Sequence, residues 1–242
     1  MRLRLRLAAF LDRWESRVRR VVERVHPDPA WLAEFSAYLG DTRLTIEEFW
    51  VRYTLRRISE GTRMQLVDGE AAARAFYETS DYPLWRGVVH RRHTAWRRVL
   101  WTMPHRGVLL EFGCGIAPVT AWCARRKPQW TYLLEDLDGP ALRYGLWRER
   151  RALGHTTAHY FGLVDVLTAL DVLEHLLDPL ATARDLVGRL KPGGTLHFSF
   201  PETDGRELDL ATAEQRDATI RYLEAALVSV YDRDGYRVSV KR

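Results

Sequence analysis

An α/β fold, with helices on both faces of a mostly parallel sheet and a helical region ahead of it, is the architecture the sequence predicts. Three observations carry that expectation. Apolar residues recur at helical spacing from Leu7 to Trp101. After Gly107, short apolar runs alternate with helical patterns, the order expected of βαβ units. Where the two regimes meet, Val108–Ala117 runs as a strand through two glycines into a helix. The 242 residues, 46% hydrophobic and 29% charged, describe a globular protein of one large domain with an appendage.

The elements follow in order. Leu7, Phe10, Leu11, Trp14, Val18, Val21, Val22 and Val25 form the apolar stripe of a first helix, stopped by His26-Pro27-Asp28-Pro29. Trp31–Leu39 reads as a short helix closed by Gly40. Thr45 and Glu48 have the spacing of a capping box, opening a helix with Ile46, Phe49, Trp50 and Tyr53 on one face and an expected end at Gly61. Glu70–Glu78 and a longer helix from Leu84 to Trp101, closed by Pro104, complete the helical part. Strands are then expected at Val108–Phe112, Trp130–Glu135, Thr156–Phe161, Val164–Leu170 and Thr195–Phe200. Helices are expected at Ala117–Arg126, Gly139–Arg151 and Pro179–Leu190. Val228–Tyr231 and Tyr236–Val240 flank Asp232-Arg233-Asp234-Gly235, which signals an antiparallel hairpin. Residues 1–80 therefore read as a helical region and 81–242 as the α/β domain.

Charge and cysteine content exclude several classes. The net charge of +5 is carried almost wholly by arginine, Lys127, Lys191 and Lys241 being the only lysines, and no nucleic-acid-binding motif accompanies it. No apolar run approaches the roughly 18 residues of a membrane span. Arg2, Arg4, Arg6 and Asp12 interrupt the N-terminal apolar residues, so a secretory signal is not expected and a cytoplasmic location is. Cys114 and Cys123 build neither a disulfide framework nor a zinc cage. His90 with His93, and His155 with His159, have helical metal-ligand spacing but no companion carboxylate or cysteine, so no metal is expected.

Chemistry concentrates in Glu111-Phe112-Gly113-Cys114-Gly115-Ile116-Ala117. Gly113 and Gly115 allow a tight turn and close approach of a ligand to the backbone, and the helix that follows offers free N–H groups. Pro118 stands where a dinucleotide fingerprint wants its third glycine. Glu111 argues further against pyrophosphate, since a carboxylate there repels phosphate and attracts a cation. About 20 residues beyond the turn, where nucleoside-binding α/β folds place an acid on the ribose hydroxyls, stands Asp136 at the end of the second strand.

EFGCGIA, EDLDGPALRYG, VDVLTALDVLEHLLDPL and LVGRLKPGGTLHFSFPE, in that order from Val108 to Glu202, resemble the class I, Rossmann-like S-adenosylmethionine-dependent methyltransferases. The resemblance implies S-adenosylmethionine as methyl donor. It puts Glu111 at the methionine end and Gly113, Cys114, Gly115, Ile116 and Ala117 around the methionine and ribose. It puts Asp136 on the ribose hydroxyls, Leu137 against adenine, and Leu170 and Asp171 beside the sulfonium. Glu174-His175 matches the pair that commonly follows the family's fourth strand. His175, and Glu202 after the fifth strand, are the candidate general bases. One departure is the compressed stretch from Thr157 to Asp165, where the family's third strand and its adenine-side acid are expected.

Many small-molecule members close N-terminal helices over the donor, and Ala75–Arg86 is similar to such a piece. Tyr77, Tyr82 and Trp85 are expected to wall the acceptor's pocket and Arg86 to meet an anion. The expected function is methyl transfer to an oxygen, nitrogen or carbon of a small molecule. Two alternatives stay open: a degenerate donor-binding module that docks a partner protein, and a nucleic-acid methyltransferase. The latter lacks the Asn/Asp-Pro-Pro-aromatic motif of base amino-group methylation.

Overall fold

The computed structural model describes residues 29–41, 43–65, 67, 69–89, 96–153, 162–201, 209–233 and 235–242. The expected first helix, His90, His93, His155, His159, the expected strand at Thr156–Phe161 and Glu202 lie outside the described residues. The helical region comprises α1 (Pro29–Leu39), α2 (Ile46–Gln65), α3 (Glu70–Thr79), α4 (Tyr82–Val89) and α5 (Trp96–Thr102). The α/β part follows as β1 (Val108–Phe112), α6 (Pro118–Ala124), β2 (Thr131–Glu135), α7 (Pro140–Leu153), β3 (Val164–Ala169), a 3₁₀ turn at Leu173–His175, α8 (Pro179–Arg189) and β4 (Leu190–Ser199). It ends with α9 (Ala213–Ala226), β5 (Leu227–Arg233) and β6 (Tyr236–Lys241).

The six strands form one sheet in the order β2-β1-β3-β4-β6-β5. β1 pairs parallel with β2 and β3, and β3 with β4; β6 runs antiparallel to both β4 and β5. Successive strand residues point to opposite faces, and here both faces are buried. Leu110, Leu133 and Leu167 enter a core shared with Leu186 of α8 and Leu223 of α9. Their neighbours Leu109, Tyr132 and Val166 enter the opposite core, with Val99 of α5 and Cys123 of α6. That double cover is the doubly wound arrangement, and the hairpin closes one edge with Arg233 facing Tyr236.

A third core joins the helical region to the sheet domain. Phe35, Phe49, Tyr53, Phe76, Tyr82 and Trp85 pack together with Ile116 of the glycine turn and Tyr144 of α7. Phe35 meets Tyr144 edge-on at 5.6 Å, and Tyr144 donates a hydrogen bond to Glu34 at 2.8 Å. The glycine turn is thus walled on one side by α/β elements and on the other by α3 and α4.

Three local outcomes differ from the sequence reading. Gly61 does not end α2, which continues to Gln65. A glycine inside a helix costs about 1 kcal/mol, and the extra turn offsets it by burying Met64 to 3% exposure. The expected helix from Leu84 to Trp101 contains α4 and α5, with residues 90–95 between them outside the described residues. Helix α9 has no counterpart in the expectation, although Thr212 and Gln215 form a full capping box at its start. The capping box at Thr45 stands as expected, with Glu48 Oε2 accepting from the Thr45 N–H at 2.9 Å and Thr45 Oγ1 from the Glu48 N–H at 3.2 Å.

Candidate active site

A cavity of about 870 Å³ opens beyond the carboxyl ends of β1, β2 and β3, under α3 and α4. Its floor is the glycine turn. Gly113 and Gly115 have φ of 61° and 49°, left-handed values that disfavour side chains with a Cβ, and Ala117 at 53° completes the turn ahead of α6. The two glycines serve different ends. A Cβ on Gly113 would lie 2.3 Å from Val172 Cγ2, so that position is small for packing. A Cβ on Gly115 would meet nothing within 4 Å, so that position keeps space clear at the cavity.

Polar groups hold the turn in place. The N–H groups of Gly113 and Cys114 donate to the Glu135 carbonyl at 2.8 and 3.3 Å. Asp136 accepts from the N–H of Gly115 at 2.5 Å and of Leu137 at 2.7 Å, while its carboxylate lines the cavity. Burial raises the Asp136 pKa and those two N–H bonds oppose the rise. Arg148 of α7 supports the turn from behind, donating to the carbonyls of Ile116 and, at 2.6 Å, of Ala117.

Glu111 lies behind the turn, outside the cavity lining. At 4% exposure it accepts from Val119 at 3.2 Å and Thr120 at 2.7 Å, the first turn of α6. A carboxylate there complements the positive end of the helix. Burial raises its pKa; the hydrogen bonds to Thr120 and Val119, then Arg148, pull the other way. Cys114 and Ala117 are also buried behind the turn, against Leu134, and burial pushes the Cys114 thiol well above its usual range. Leu170 is half-buried and packs against two clusters of the sheet core rather than entering the lining. The structure therefore brings Gly113, Gly115, Ile116, Asp136, Leu137, Asp171 and His175 to the cavity and leaves the other four as its support.

Beside the turn, the segment after β3 supplies acids. Asp171, at φ 53°, donates its N–H to Ser199 Oγ at 2.7 Å and accepts the Ser199 hydroxyl at 2.6 Å. Glu174 is 4% exposed, its Oε2 has no hydrogen-bond partner among the described residues, and burial, with Asp171 and Asp209 adding, pushes its pKa up to about 7. His175 lines the cavity with Nδ1 3.5 Å from Oδ1 of Asp209. Asp209 carried no sequence signal, since it follows an acidic, glycine-containing stretch of sequence and its histidine partner is distant in the chain.

The helical wall contributes Met64, Tyr77, Tyr82 and Arg86. Tyr77 is pushed up to about 12, first by burial, with Arg86 opposing and Asp136, Glu174 and Asp209 adding, so it holds its proton. Trp85 departs from its expected place. Tyr82 and Arg86, one helical turn apart, face the cavity, and Trp85 points to the other side of α4. There it is 1% exposed, 4.9 Å from Phe35 and 5.1 Å from Phe49, with the Arg56 guanidinium 4.3 Å over its ring. It belongs to the helical core.

No helix among the described residues is long and apolar enough to cross a membrane. No curated protein sequence matches the chain. Among solved structures it is similar to the pyocyanin biosynthetic protein PhzM, at 11% identity and a TM-score of 0.50 over 81% of this chain and 71% of that one. It is also similar to the N-methyltransferase NodS from Bradyrhizobium japonicum WM9, at 22% identity and a TM-score of 0.48 over 63% and 96% of the two chains. An O-methyltransferase family 2 protein from Planctomyces limnophilus DSM 3776, in complex with apigenin, follows at 16% identity and 0.48 over 78% and 68%. A family model described as a methyltransferase domain matches residues 86–241, which hold the whole sheet, the glycine turn and the acids around it. The chain belongs to that family, the class I S-adenosylmethionine-dependent methyltransferases, and is an enzyme that transfers methyl groups.

Proposed function

We propose that the enzyme methylates a small molecule, with S-adenosylmethionine seated on the glycine turn and the acceptor enclosed by α3 and α4. The observation that carries this reading is the cavity itself, in which the donor turn and the helical aromatics are two walls of one space of about 870 Å³. That volume is toward the upper end of ligand pockets, which run to about 1,000 Å³. It suits two ligands side by side better than one.

The residues present fit the donor. Gly115 leaves open space where any other residue would place a Cβ. The Asp136 carboxylate has about four acceptor sites, and the Gly115 and Leu137 N–H groups occupy two, which leaves two for a pair of vicinal hydroxyls. Leu137 offers an apolar surface for a base beside them. Asp171 lines the cavity and the Glu174 and Asp209 carboxyls lie close by, a field that favours a cation. S-adenosylmethionine supplies a methyl group already activated on a positively charged sulfur. The protein then has chiefly to hold donor and acceptor in line and keep water out, and alignment of that kind supplies most of the acceleration. Tyr77 and Tyr82 close the cavity over the reacting groups, and Arg86 offers a charge to an anionic part of the acceptor. In this reading residues 1–80 act as a substrate-binding cap on the domain formed by 81–242.

Isothermal calorimetry with S-adenosylmethionine tests the donor half of the proposal. One saturable site per chain, competed by S-adenosylhomocysteine, is the expected result; absence of binding by the folded protein would overturn it.

A further inference from the structure

Two glycines of the cavity wall have no left-handed backbone to explain them. Gly139, between Asp136 and α7, and Gly87 of α4 lack the positive φ of Gly113 and Gly115. Gly139 also precedes Pro140, a place that favours an extended chain and suits alanine as readily as glycine. Close approach of the helical wall accounts for both. A Cβ on Gly139 would stand 2.1 Å from the carbonyl oxygen of Tyr77, 3.2 Å from its carbon and 3.4 Å from Glu78 Cα, near the end of α3. That neighbour is backbone and has no rotamer to retreat into. A Cβ on Gly87 would stand 2.9 Å from Ile116 Cγ2, a side chain of the glycine turn. Helices α3 and α4 therefore rest directly on the two segments proposed to seat the donor. The Asp136 segment is pinned from its other side. Its carboxylate holds two N–H groups, and the Gly139 carbonyl accepts from Arg143 at 3.1 Å as α7 begins. The end of α3 is tied to the helical region instead, by the Ser80 N–H to the Phe76 carbonyl at 2.8 Å and the Ser80 hydroxyl to Glu60 at 3.0 Å.

We infer that Gly139 is a positioning residue for methyl transfer: it sets α3 and its Tyr77 in register with the Asp136 segment, so that the cap is a fixed wall of the site before any ligand arrives. The inference deepens the function proposed above and rests on it. Tyr77 joins the two halves of the site, because its carbonyl meets Gly139 while its side chain lines the cavity. Gly139 acts through that residue rather than on the reacting atoms. Ordinary contact begins near 3.4 Å. A side chain at 139 would therefore force α3 and the Asp136 segment apart by about 1 Å, and a misplacement of that size costs about 10²-fold in rate. The fewer ties of α3 to the sheet domain make it the part that gives way, which leaves the donor's seat in place and moves the wall over the acceptor.

Amide hydrogen exchange on the wild-type protein reads the register without turnover. Helix α3 is expected to be protected already in the free protein and to change less than about twofold on adding S-adenosylhomocysteine. Protection that appears only with that ligand would show a swinging lid and overturn the inference. Gly139→Ala tests the residue itself, in protein labelled with 3-fluorotyrosine, with Tyr77→Phe used to assign the resonance. The Tyr77 fluorine line is expected to move in Gly139→Ala, while calorimetry gives an S-adenosylmethionine affinity within a few-fold of the parent's. Neither readout needs an acceptor. Transfer of labelled methyl groups to a panel of simple phenols and primary amines adds the rate: kcat is expected to fall about 10²-fold, with KM for S-adenosylmethionine little changed. A Tyr77 line at its wild-type position, a kcat equal to the parent's, or a donor affinity that falls as far as kcat would each overturn the positioning role. Should Gly139→Ala not fold, the exchange of wild-type α3 decides alone. Donor calorimetry on the wild-type protein separates the two levels, since absent binding there overturns the function beneath and not the register of the cap.

Discussion

Two glycines two residues apart illustrate how much a single position carries. Gly113 and Gly115 share a left-handed backbone, yet one is small for the protein and the other for the ligand. Gly113→Ala drives a Cβ into Val172, and overpacking of that kind costs about 1–3 kcal/mol. A melting temperature several degrees lower is expected in thermal unfolding. Gly115→Asn should behave oppositely. Asparagine tolerates positive φ, so the protein should melt near the wild-type temperature while calorimetry reports donor binding at least tenfold weaker, by about 1.4 kcal/mol or more. Asp136→Ala removes both the carboxylate proposed to accept the ribose hydroxyls and the bond that holds the Gly115 N–H. A charge-assisted hydrogen bond is worth about 1.5–3 kcal/mol, so a loss of one to two orders of magnitude in donor affinity is expected. Donor affinities equal to the parent's in both variants would remove the glycine turn from the site.

At the level of elements, the helices divide into those that hold shape and those that line the cavity. The Thr45 box serves only the start of α2, remote from the ligand space. Thr45→Ala should cost about 1 kcal/mol and lower the melting temperature by about 2–4 °C, with donor affinity unchanged. Helix α4 does both jobs, burying Leu84, Trp85 and Val88 on one side and presenting Tyr82 and Arg86 on the other. Tyr82→Ala is therefore expected to raise KM for the acceptor or lower turnover while S-adenosylmethionine binds within a few-fold of the parent. Trp85→Ala is expected to unfold the helical core instead, because its ring is surrounded by Phe35, Phe49 and Arg56. Reversal of those two phenotypes would show that the assignment of the faces of α4 is wrong.

For the molecule as a whole, buried titratable groups set a pH dependence of stability. Glu149 is 1% exposed, and burial raises it to about 7 against the opposing Arg148, with Glu111 and Glu34 adding. Its contact with Arg148 Nε, at 3.5 Å, lacks hydrogen-bond alignment. Glu174 likewise stands at about 7. Both carboxyls bind protons more tightly folded than unfolded. Their contribution is complete below the ordinary carboxylate range near pH 4.5 and is lost as pH rises through 7. His197 acts in the other direction. Fully buried between Thr102 and Tyr236 and near Arg98, it falls to about 3, first through burial and then through that charge. Its contribution is present above pH 6.5 and is lost as pH falls toward 3. The melting temperature is therefore expected to peak on the acid side of neutrality and fall by several degrees between about pH 5.5 and 8. Glu149→Gln should flatten that fall, and a profile already flat in the wild-type protein would refute the ionisation of these two carboxyls as its cause.

The local signals of this fold were legible because each is a short-range necessity. A turn at Gly113 and Gly115, a cap at Thr45 and a hairpin before Gly235 follow from backbone geometry and from donors that need partners within a few residues. Alternation of strands and helices is enough to imply a doubly wound sheet, and Asp136 can be found by its distance from the turn. The facing of side chains was not legible in the same way. Tyr77, Tyr82, Trp85 and Arg86 look alike as an aromatic and basic run. Which of the last three enters the cavity depends on how α4 is rotated against Phe35 and Phe49, residues far away in the chain. Glu111 sits beside the glycine turn in sequence, yet the N–H groups of α6 draw it behind the turn. Asp209 meets His175 only because two backbone bonds bring their segments together. The sequence by itself determined the alternation of strands and helices, the glycine turn and the acid beyond it, since these rest on contacts between near neighbours. The tertiary structure alone decided which side chains share the cavity, because burial and pairing across the chain are settled only when the helices pack.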